Sequence, residues 1–299
     1  MNLPERERRR GVLCMIAAGL AWGTSGTISR YAPPAALSSP LALAWARVFL
    51  GGALLSLGAL LSGHCTVFLR QKEAFAAGMC CSLNQIGFFM AMDSVGVALG
   101  TMIVIGSSIV MAGLLGVFTG ERPTTLWWCA AALGIAGSGL AAYSGTVETF
   151  RLNGLLWGLL GGLGYSCLGF CLRALGKKGQ SPLESNGMAL LYGSLFLLPA
   201  ALQSGLSWLT STHGATAALA LGFFPTAVPY FFFAAALTRI TVGQSYAVGL
   251  LEPLTAALLG IFLLGEHVIP VQALGMGLEL LCMILAAWDA TRNNGGNCK

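Results

Sequence analysis

Three ionisable residues fall inside long apolar stretches of the sequence, where charged side chains are rare. Arg47, Glu252 and Glu279 are each surrounded by leucine, alanine, glycine and other apolar residues. An arginine at the centre of a membrane-spanning helix costs about 2.5 to 3.5 kcal/mol, whereas each leucine contributes only about −0.3 to −0.6 kcal/mol. Such charges need a partner or water, and they often lie along the paths that solutes and ions take. We therefore predict coupling or gating roles for all three.

Each of these charges also has a structural interpretation, and the sequence leaves both open. Arg47 either binds a carboxylate or gates access to a cavity, or it reaches from near the start of its span to a helix end or to backbone carbonyls. Glu252 either carries protons or balances a cationic solute, because a low dielectric favours the neutral carboxyl group. Alternatively, Glu252 makes a hydrogen bond between helices. The same alternatives hold for Glu279.

A second set of candidates is polar or aromatic and lies in the same apolar stretches. Aromatic walls with a few polar groups suit small organic solutes. Aromatic faces beside an acid also suit a quaternary amine, through cation–π attraction. The predicted substrate-binding residues are Trp22, Asn84, Gln85, Phe88, Tyr165, Tyr230, Tyr246 and Glu252. The adjacent Trp127 and Trp128 are predicted to lie at the lipid interface instead.

The composition of the chain indicates which elements must position these side chains. Of the 299 residues, 56% are hydrophobic and only 9% are charged, whereas an average soluble chain is about 25% charged. So few charges cannot cover a soluble globule, which excludes an ordinary soluble enzyme and a disordered chain. The net charge of +5 is too small and too scattered for a nucleic-acid-binding protein. The composition predicts an all-α protein embedded in the lipid bilayer.

Ten stretches are long and apolar enough to cross the hydrocarbon core, which is roughly 30 Å thick, as helices. Their apolar runs are continuous, whereas the strands of a membrane barrel would alternate polar and apolar residues. The predicted spans are 11–31, 40–62, 73–92, 95–118, 125–144, 154–175, 183–203, 214–237, 242–265 and 270–289.

The distribution of lysine and arginine predicts the orientation of these spans. With the N-terminus in the cytoplasm, 13 of the 16 Lys and Arg residues fall on the cytoplasmic side, two fall outside, and Arg47 lies within a span. This bias follows the positive-inside rule and requires an even number of spans. Residues 1–10 are then a basic cytoplasmic N-terminus, and residues 290–299 are a cytoplasmic tail. The expected location is the cytoplasmic membrane.

The two halves of the chain, 11–144 and 154–289, resemble each other. At an offset of 143 residues Trp22 aligns with Tyr165, which makes these two the strongest pocket candidates. Each half carries five spans, an odd number, so the second half must enter the membrane inverted relative to the first. Inverted repeats are the architecture of secondary transporters, with the substrate site near the membrane midplane between the repeats.

Three prolines lie within the eighth and ninth predicted spans. Pro225, Pro229 and Pro253 each lack a backbone donor and permit a kink. Kinks inside a membrane usually accompany cavities, so these residues are predicted to be hinges or to line a cavity. The alternative is that proline is simply commoner in membrane helices than in soluble ones.

Several motifs resemble the EamA-like members of the drug/metabolite transporter superfamily over nearly the whole chain. They are Ala21-Trp22-Gly23, Arg47, Gly120-Glu121-Arg122, Leu251-Glu252-Pro253-Leu254 and Leu264-Gly265-Glu266. The resemblance implies ten helices and export of amino acids and related metabolites, with some importers, driven by ion or substrate gradients. Ser107-Ser108 stands where repeat symmetry would place Glu252-Pro253, which argues against a symmetric role for the two halves.

The predicted function is secondary transport of a small organic metabolite by alternating access. An amino acid or related amine is the expected substrate, and export or exchange is the expected direction. Import of a quaternary amine such as choline, a vitamin or a nucleoside is the alternative. Proton or substrate antiport is the expected coupling, and the chain is expected to act as a monomer or a homodimer.

Other classes of membrane protein lack support in the sequence. No G-x-x-x-x-G-K-[ST] motif is present for ATP. The three histidines are far apart, and no cluster of histidines and acids predicts a metal, a cofactor or an intramembrane enzyme. A channel would usually build its pore from several identical subunits with rings of charges or carbonyls.

Overall fold

The computed structural model describes residues 3–63, 71–143, 151–265 and 267–292, and within these ranges the chain contains helices and no strands. Ten helical segments succeed one another: α1 Glu5–Gly23 with a short continuation Ser25–Ser29, α2 Pro40–Leu61, α3 Lys72–Val95, α4 Val97–Phe118, α5 Thr125–Ala141, α6 Leu152–Lys177, α7 Pro182–Ser204, α8 Thr212–Gly222 and Val228–Leu237 joined by the π-helical Phe223–Ala227, α9 Val242–Val248 and Leu251–Leu264, and α10 Pro270–Arg292. Short helical turns at Pro34–Leu37 and Ser207–Thr210 precede α2 and α8.

The lengths of these segments confirm the ten-helix prediction. Within the described ranges, nine are long and apolar enough to cross a membrane, and α5 is a shorter apolar helix of 17 residues. Seventeen residues rise about 25 Å, which is at the short end of the range for a span. The largest difference from the predicted bounds is at α1, which begins at Glu5. The basic segment is thus helical, and Arg9 pairs with Glu5 one turn earlier.

Side chains cap the first turns of several helices, among them α5, α7 and α9. Thr124 accepts a hydrogen bond from the third backbone amide of α5. Ser181 and Thr241 form reciprocal capping boxes with Glu184 and Gln244 at the starts of α7 and α9. Each cap satisfies amide groups that a helix start otherwise leaves unpaired, so these side chains determine where α5, α7 and α9 begin.

The packing of the helices follows a two-fold pattern between the halves. Helix α2 packs on its counterpart α7, and α5 packs on its counterpart α10. Helix α3 packs on α6, and the matching α8 packs on α1. Glycine permits these close approaches, since a Cβ added to Gly87 of α3 would lie 2.5 Å from the backbone nitrogen of Gly161 in α6. The pattern is the one a two-fold relation between two repeats produces.

Trp127 is buried at the start of α5, and the prediction that it lies at the lipid interface is wrong. Its side chain is only 1% exposed. The ring packs on Gly113 of α4 and Gly243 of α9, where the absence of side chains leaves room for it. Its neighbour Trp128 is 36% exposed. The two glycines that receive Trp127 come from distant parts of the chain, so the local sequence carried no sign of its burial.

Candidate functional site

A cavity of about 100 Å³ lies between the two halves of the helical bundle. Helices α1 to α4 of the first half and α6, α8 and α9 of the second half build its wall. Seven of the eight predicted substrate-binding residues line it, together with Arg47 and Pro225; the seven are Trp22, Asn84, Gln85, Phe88, Tyr165, Tyr230 and Glu252. Side chains separated by most of the chain therefore meet around one small volume.

The guanidinium of Arg47 is held by side chains of the cavity wall. It donates a hydrogen bond of 3.0 Å to Oε1 of Gln85 on α3 and one of 3.3 Å to Oγ of Ser25 in the continuation of α1. Arginine carries five N–H donors, so these two bonds orient the group and leave others for an anion. Of the two interpretations that the sequence left open, this arrangement favours a role in the cavity over a tether to a helix end.

The carboxylate of Glu252 faces the same cavity and has no hydrogen-bond or ion-pair partner within the described residues. Glu252 lies in the first turn of the second segment of α9, just after the helix breaks at Gly249 and Leu250. Helix α1 packs closely on this turn, because a Cβ added to Gly23 would lie 2.9 Å from the carbonyl oxygen of Glu252. An acid in a cavity wall that makes no hydrogen bond or ion pair is available to a cationic ligand.

Aromatic rings form the wall beside these charges. Trp22 meets Tyr230 edge to face at a centroid distance of 5.5 Å and meets Tyr165 at 6.4 Å. Beneath them Phe233, which is fully buried, lies 5.4 Å from Trp22. Edge-to-face contacts of this kind are favourable beyond simple burial. They hold the ring of Trp22 in one orientation at the cavity.

Tyr246 was predicted to bind substrate, but it does not line the cavity. It is 4% exposed and packs behind Tyr165, with ring centroids 4.5 Å apart. Its hydroxyl donates a hydrogen bond to the backbone carbonyl of Tyr165. Tyr246 therefore supports the wall from behind. The break of α9 at Gly249 and Leu250 lies between Tyr246 and Glu252, so the two side chains need not face the same cavity.

The amide of Asn84 lines the cavity but is also engaged in packing. Its Nδ2 donates a hydrogen bond of 3.1 Å to the carbonyl oxygen of Gly161. This bond joins α3 to α6, the pair in which Gly87 and Gly161 bring the two backbones into contact. Asn84 thus fixes the distance between two cavity walls.

Helix α8 changes its winding where it lines the cavity. Residues Phe223–Ala227 are π-helical, and Pro225 within them lacks a backbone donor. The hydroxyl of Thr226 donates a hydrogen bond of 2.8 Å to the carbonyl of Leu221 five residues earlier. Short π segments occur frequently at functional sites. The predicted hinge at Pro225 therefore coincides with a real irregularity of the helix in the cavity wall.

The other two predicted hinges lie outside the cavity wall. Pro229 is buried in the first turn of the α-helix that follows the π segment. Pro253 follows Glu252 in the first turn after the break in α9. Pro253 occupies the first turn after a break, where the missing N–H costs least. Pro229 instead lies within the continuous helix α8, where the winding changes from π-helical to α-helical.

Glu279 also lies away from the cavity, where its predicted gating role has no support. It is 1% exposed between α5 and α10, and its Oε1 accepts a hydrogen bond of 2.8 Å from Ser138. A Cβ added to Gly137 would lie 2.9 Å from the backbone nitrogen of Glu279, so the two helices are in close contact here. This position matches the alternative interpretation, a hydrogen bond between packed helices.

Little in the sequence distinguishes the remaining wall residues from others in the spans. They are small polar or aliphatic side chains, which are common throughout membrane helices: Ser25, Val48, Thr101, Val104, Ile105 and Thr226. Only Thr226 could have been suspected from the sequence, because it directly follows Pro225, which is predicted to be a hinge or to line a cavity. The others reach the cavity through the crossing of the helices that carry them.

Ten helices in two halves around a solute-sized cavity define a membrane transporter. One family model, that of the EamA-like transporter family, matches the chain twice, over residues 9–143 and 152–288. The chain belongs to the EamA-like transporter family, and it carries two copies of the repeat that defines it. The family predicted from the motifs is thereby confirmed.

Relatives and a solved structure agree with this assignment. The uncharacterized transporter YwfM of Bacillus subtilis (strain 168) is 32% identical over 280 residues, covering 91% of this chain and 92% of the relative. An uncharacterized transporter of Archaeoglobus fulgidus is 31% identical over 208 residues, covering 69% of this chain and 72% of the relative. A crystal structure that is 18% identical superposes with a TM-score of 0.78, covering 94% of this chain and 99% of that chain, and shows that the fold is shared.

Proposed function

We propose that this transporter moves a small zwitterionic solute, such as an amino acid, across the cytoplasmic membrane by alternating access. The observation that carries the proposal is that Arg47 and Glu252 line the same cavity. A free amino acid carries one carboxylate and one ammonium group, and a site with one cation and one anion matches both. The proposed direction is export or exchange, driven by a proton or substrate gradient.

The carboxylate of the solute would bind Arg47. The hydrogen bonds to Gln85 and Ser25 orient the guanidinium and leave donors for the ligand. Charge-assisted bonds from a planar guanidinium to a carboxylate are short and directional. Positioning by two neighbouring side chains also reduces the conformational entropy that the arginine loses on binding.

The ammonium group would bind Glu252, which makes no hydrogen bond or ion pair among the described residues. Gly19 and Gly23 of α1 pack on the same turn of α9, and the ring of Trp22, which lies between them in the sequence, borders the cavity. An aromatic face attracts a cation by about 0.5 to 2 kcal/mol. Glu252 and Trp22 together therefore favour a positive charge beside them in the cavity.

The size of the cavity favours a compact solute. Its volume of about 100 Å³ is below the roughly 150 Å³ of an apolar cavity that holds benzene. A small aliphatic or hydroxyl amino acid suits this space better than a nucleoside or a larger vitamin.

A quaternary amine is the second candidate, because the aromatic rings of Trp22, Tyr165 and Tyr230 border the cavity that holds Glu252. Arg47 in the same cavity opposes it. A purely cationic solute would leave Arg47 without an anion and would face repulsion from it.

Binding to three solutes of matched size tests the zwitterion proposal. Thermal shift of the purified protein would be measured with L-alanine, with propionate, which lacks the ammonium group, and with ethylamine, which lacks the carboxylate; choline tests the second candidate. Alanine should stabilise the protein, and each one-charge analogue should need at least a tenfold higher concentration for the same shift. Saturable alanine flux in proteoliposomes should follow.

Two outcomes would overturn the proposal. One is stabilisation by propionate or ethylamine at the same concentration as alanine. The other is a response to choline with none to any of several small amino acids. Flux that appears as single-channel current would instead indicate a pore.

A further inference from the structure

A buried ion pair ties the two repeats together at the end of the bundle where α4 and α6 end and α9 begins. Oε1 of Glu121, in the turn after α4, lies 2.5 Å from Nη1 of Arg173 near the end of α6, and both side chains are 10% exposed. Oε2 of Glu121 accepts a hydrogen bond of 3.0 Å from the backbone of Val242, the first residue of α9. Arg173 also donates to the carbonyl of Ile240 at 2.8 Å. One carboxylate of the first repeat thus holds two helices of the second.

Further polar contacts close the same end of the bundle. Asp289 of α10, 1% exposed, accepts hydrogen bonds of 2.6 Å from Thr124 and 2.8 Å from Gln244. Arg8 of α1 donates to the carbonyl of Thr291 at 2.8 Å. Helices α1, α5, α9 and α10 are therefore joined beside the ion pair. By the distribution of Lys and Arg, this is the predicted cytoplasmic end.

The cavity lies toward the other end of the bundle. Ser25, beyond the end of α1, and Thr101, one turn into α4, both line it. Between the cavity and the ion pair lies a packed layer in which Phe233 is fully buried and Tyr246 is 4% exposed. Their ring centroids are 5.7 Å apart. A solute in the cavity can reach the Glu121 end only if this layer and the ion pair separate.

We propose that the pair between Glu121 and Arg173 is the latch of the cytoplasmic gate, closed in this structure and broken when the path opens to the cytoplasm. The proposal rests on the proposed transport function and the predicted orientation. It assigns to Glu121 and Arg173 a role that the sequence had assigned to Arg47, Glu252 and Glu279.

The chemistry of this ion pair suits an interaction that forms and breaks during a transport cycle. Burial raises the pKa of the Glu121 carboxyl above its ordinary value, while the Arg173 guanidinium opposes that shift. Burial thus disfavours the ionised form of Glu121, which the ion pair with Arg173 requires. Nε of Arg173 is buried without a hydrogen-bond partner among the described residues, so the arginine is incompletely satisfied. Desolvation can offset most of the attraction within such a pair, although removing one partner alone is strongly unfavourable.

The chain offers a matched control at the same end. Glu73 of α3 and Lys178, just after α6, form an ion pair of 2.7 Å that also joins the two repeats. Its side chains are 32% and 53% exposed. Exposed pairs contribute little because water screens them and their side chains lose entropy. The control pair therefore resembles the proposed latch in charge and connection and differs from it in burial.

Hydrogen–deuterium exchange of the purified full-length protein tests the latch without any substrate. The variants are Glu121→Gln, Arg173→Gln and the double variant, with Glu73→Gln and Lys178→Gln as controls. Each latch variant should raise exchange by roughly tenfold in Val242–Val248 and in 119–124, as the loss of one pair interaction predicts. Exchange at the opposite end, in 24–32 and 40–48, should fall, because opening one end closes the other. The double variant should do less than the sum of the single ones, and the controls should match the wild type.

Reciprocity separates a gate from a merely structural contact. Faster exchange near Glu121 with no slowing at the opposite end would overturn the proposal, and so would an equal effect of Glu73→Gln. Should the neutral variants fail to fold, Glu121→Asp and Arg173→Lys keep both charges and shorten their reach. These must then show the reciprocal change at smaller amplitude, and its absence overturns the latch. The outcome is independent of whether alanine binds, so failure of the latch and failure of the zwitterion proposal are distinguishable.

Discussion

Trp22 and Tyr165, which occupy matching positions in the two repeats, meet edge to face with ring centroids 6.4 Å apart and ring planes at 78°. Trp22 lies in the first helix of the first repeat, and Tyr165 lies in the first helix of the second. The two-fold packing pattern brings these two equivalent residues into contact at one cavity wall. This contact is what a substrate site between repeats requires. Alignment of the two repeats therefore identified this pair among the many aromatic residues of the chain, which aromatic content alone could not do.

Replacing Trp22 by alanine should weaken binding of the transported solute by about tenfold, because the ring supplies both wall area and cation–π attraction. Trp22→Phe keeps an aromatic face and should lose less. The equilibrium dissociation constant, measured by thermal shift or calorimetry, checks this. Removing a buried tryptophan also costs about 3 to 5 kcal/mol of stability, so Tm must be recorded for each variant. Tyr31→Ala removes an aromatic ring that is 71% exposed and should change neither quantity.

Replacing Gln85 by methionine should lower the affinity for the solute by roughly three- to tenfold. A hydrogen bond to a charged group is worth about 1.5 to 3 kcal/mol. Binding loses only part of this free energy, because Gln85 acts on the solute by orienting Arg47. Gln85→Met removes the acceptor that positions Arg47 at 3.0 Å and keeps the volume. Gln203→Met at the exposed end of α7 is the matched substitution and should be silent. Equal affinity in Gln85→Met would show that Arg47 needs no positioning.

Replacing Glu252 by glutamine and replacing Glu279 by glutamine should affect different properties: the first should change affinity, and the second should change stability. Glu252→Gln removes the charge proposed to bind the ammonium group and should reduce affinity by at least tenfold, with little change in Tm. Glu279 is buried against Ser138 between α5 and α10, so Glu279→Gln should change Tm and leave the dissociation constant within about twofold. Binding and thermal melts on both variants check this pair. Loss of binding in Glu279→Gln at unchanged Tm would return that residue to the coupling role first predicted for it.

An alanine at Gly23 should destabilise the protein by about 1 to 3 kcal/mol, as overpacking does. Its Cβ would lie 2.5 Å from Cβ of Thr255 on α9. Gly26, three residues later, has no atom within 4 Å of the corresponding position, so Gly26→Ala should leave Tm unchanged or raise it slightly through its better helix propensity. Melting curves in the same detergent compare the two. Similar effects of both substitutions would contradict the close contact between α1 and the break in α9.

Much of the candidate site was predictable, because the lengths of the apolar stretches and the equivalent positions in the two repeats can be read directly from the sequence. Helix existence follows from uninterrupted apolar runs, and Trp22, Tyr165, Arg47 and Glu252 were each conspicuous against that background. Thr101 was not, because small polar residues are compatible with any face of a membrane helix. Tyr246 was placed in the cavity wrongly, since aromatic type says nothing about which of two adjacent layers a ring occupies.

The sequence by itself determined the class, the ten helices, the family and the charges that the interior must accommodate, because each follows from local composition or from a motif. Only the tertiary structure decided which charges meet. It set Arg47 and Glu252 in one cavity, buried Glu279 between α5 and α10, and joined Glu121 to Arg173 at the far end of the bundle. The physical reason is that a side chain's neighbours depend on the angle and register at which helices cross. Those depend on glycines and packing residues spread along the whole chain.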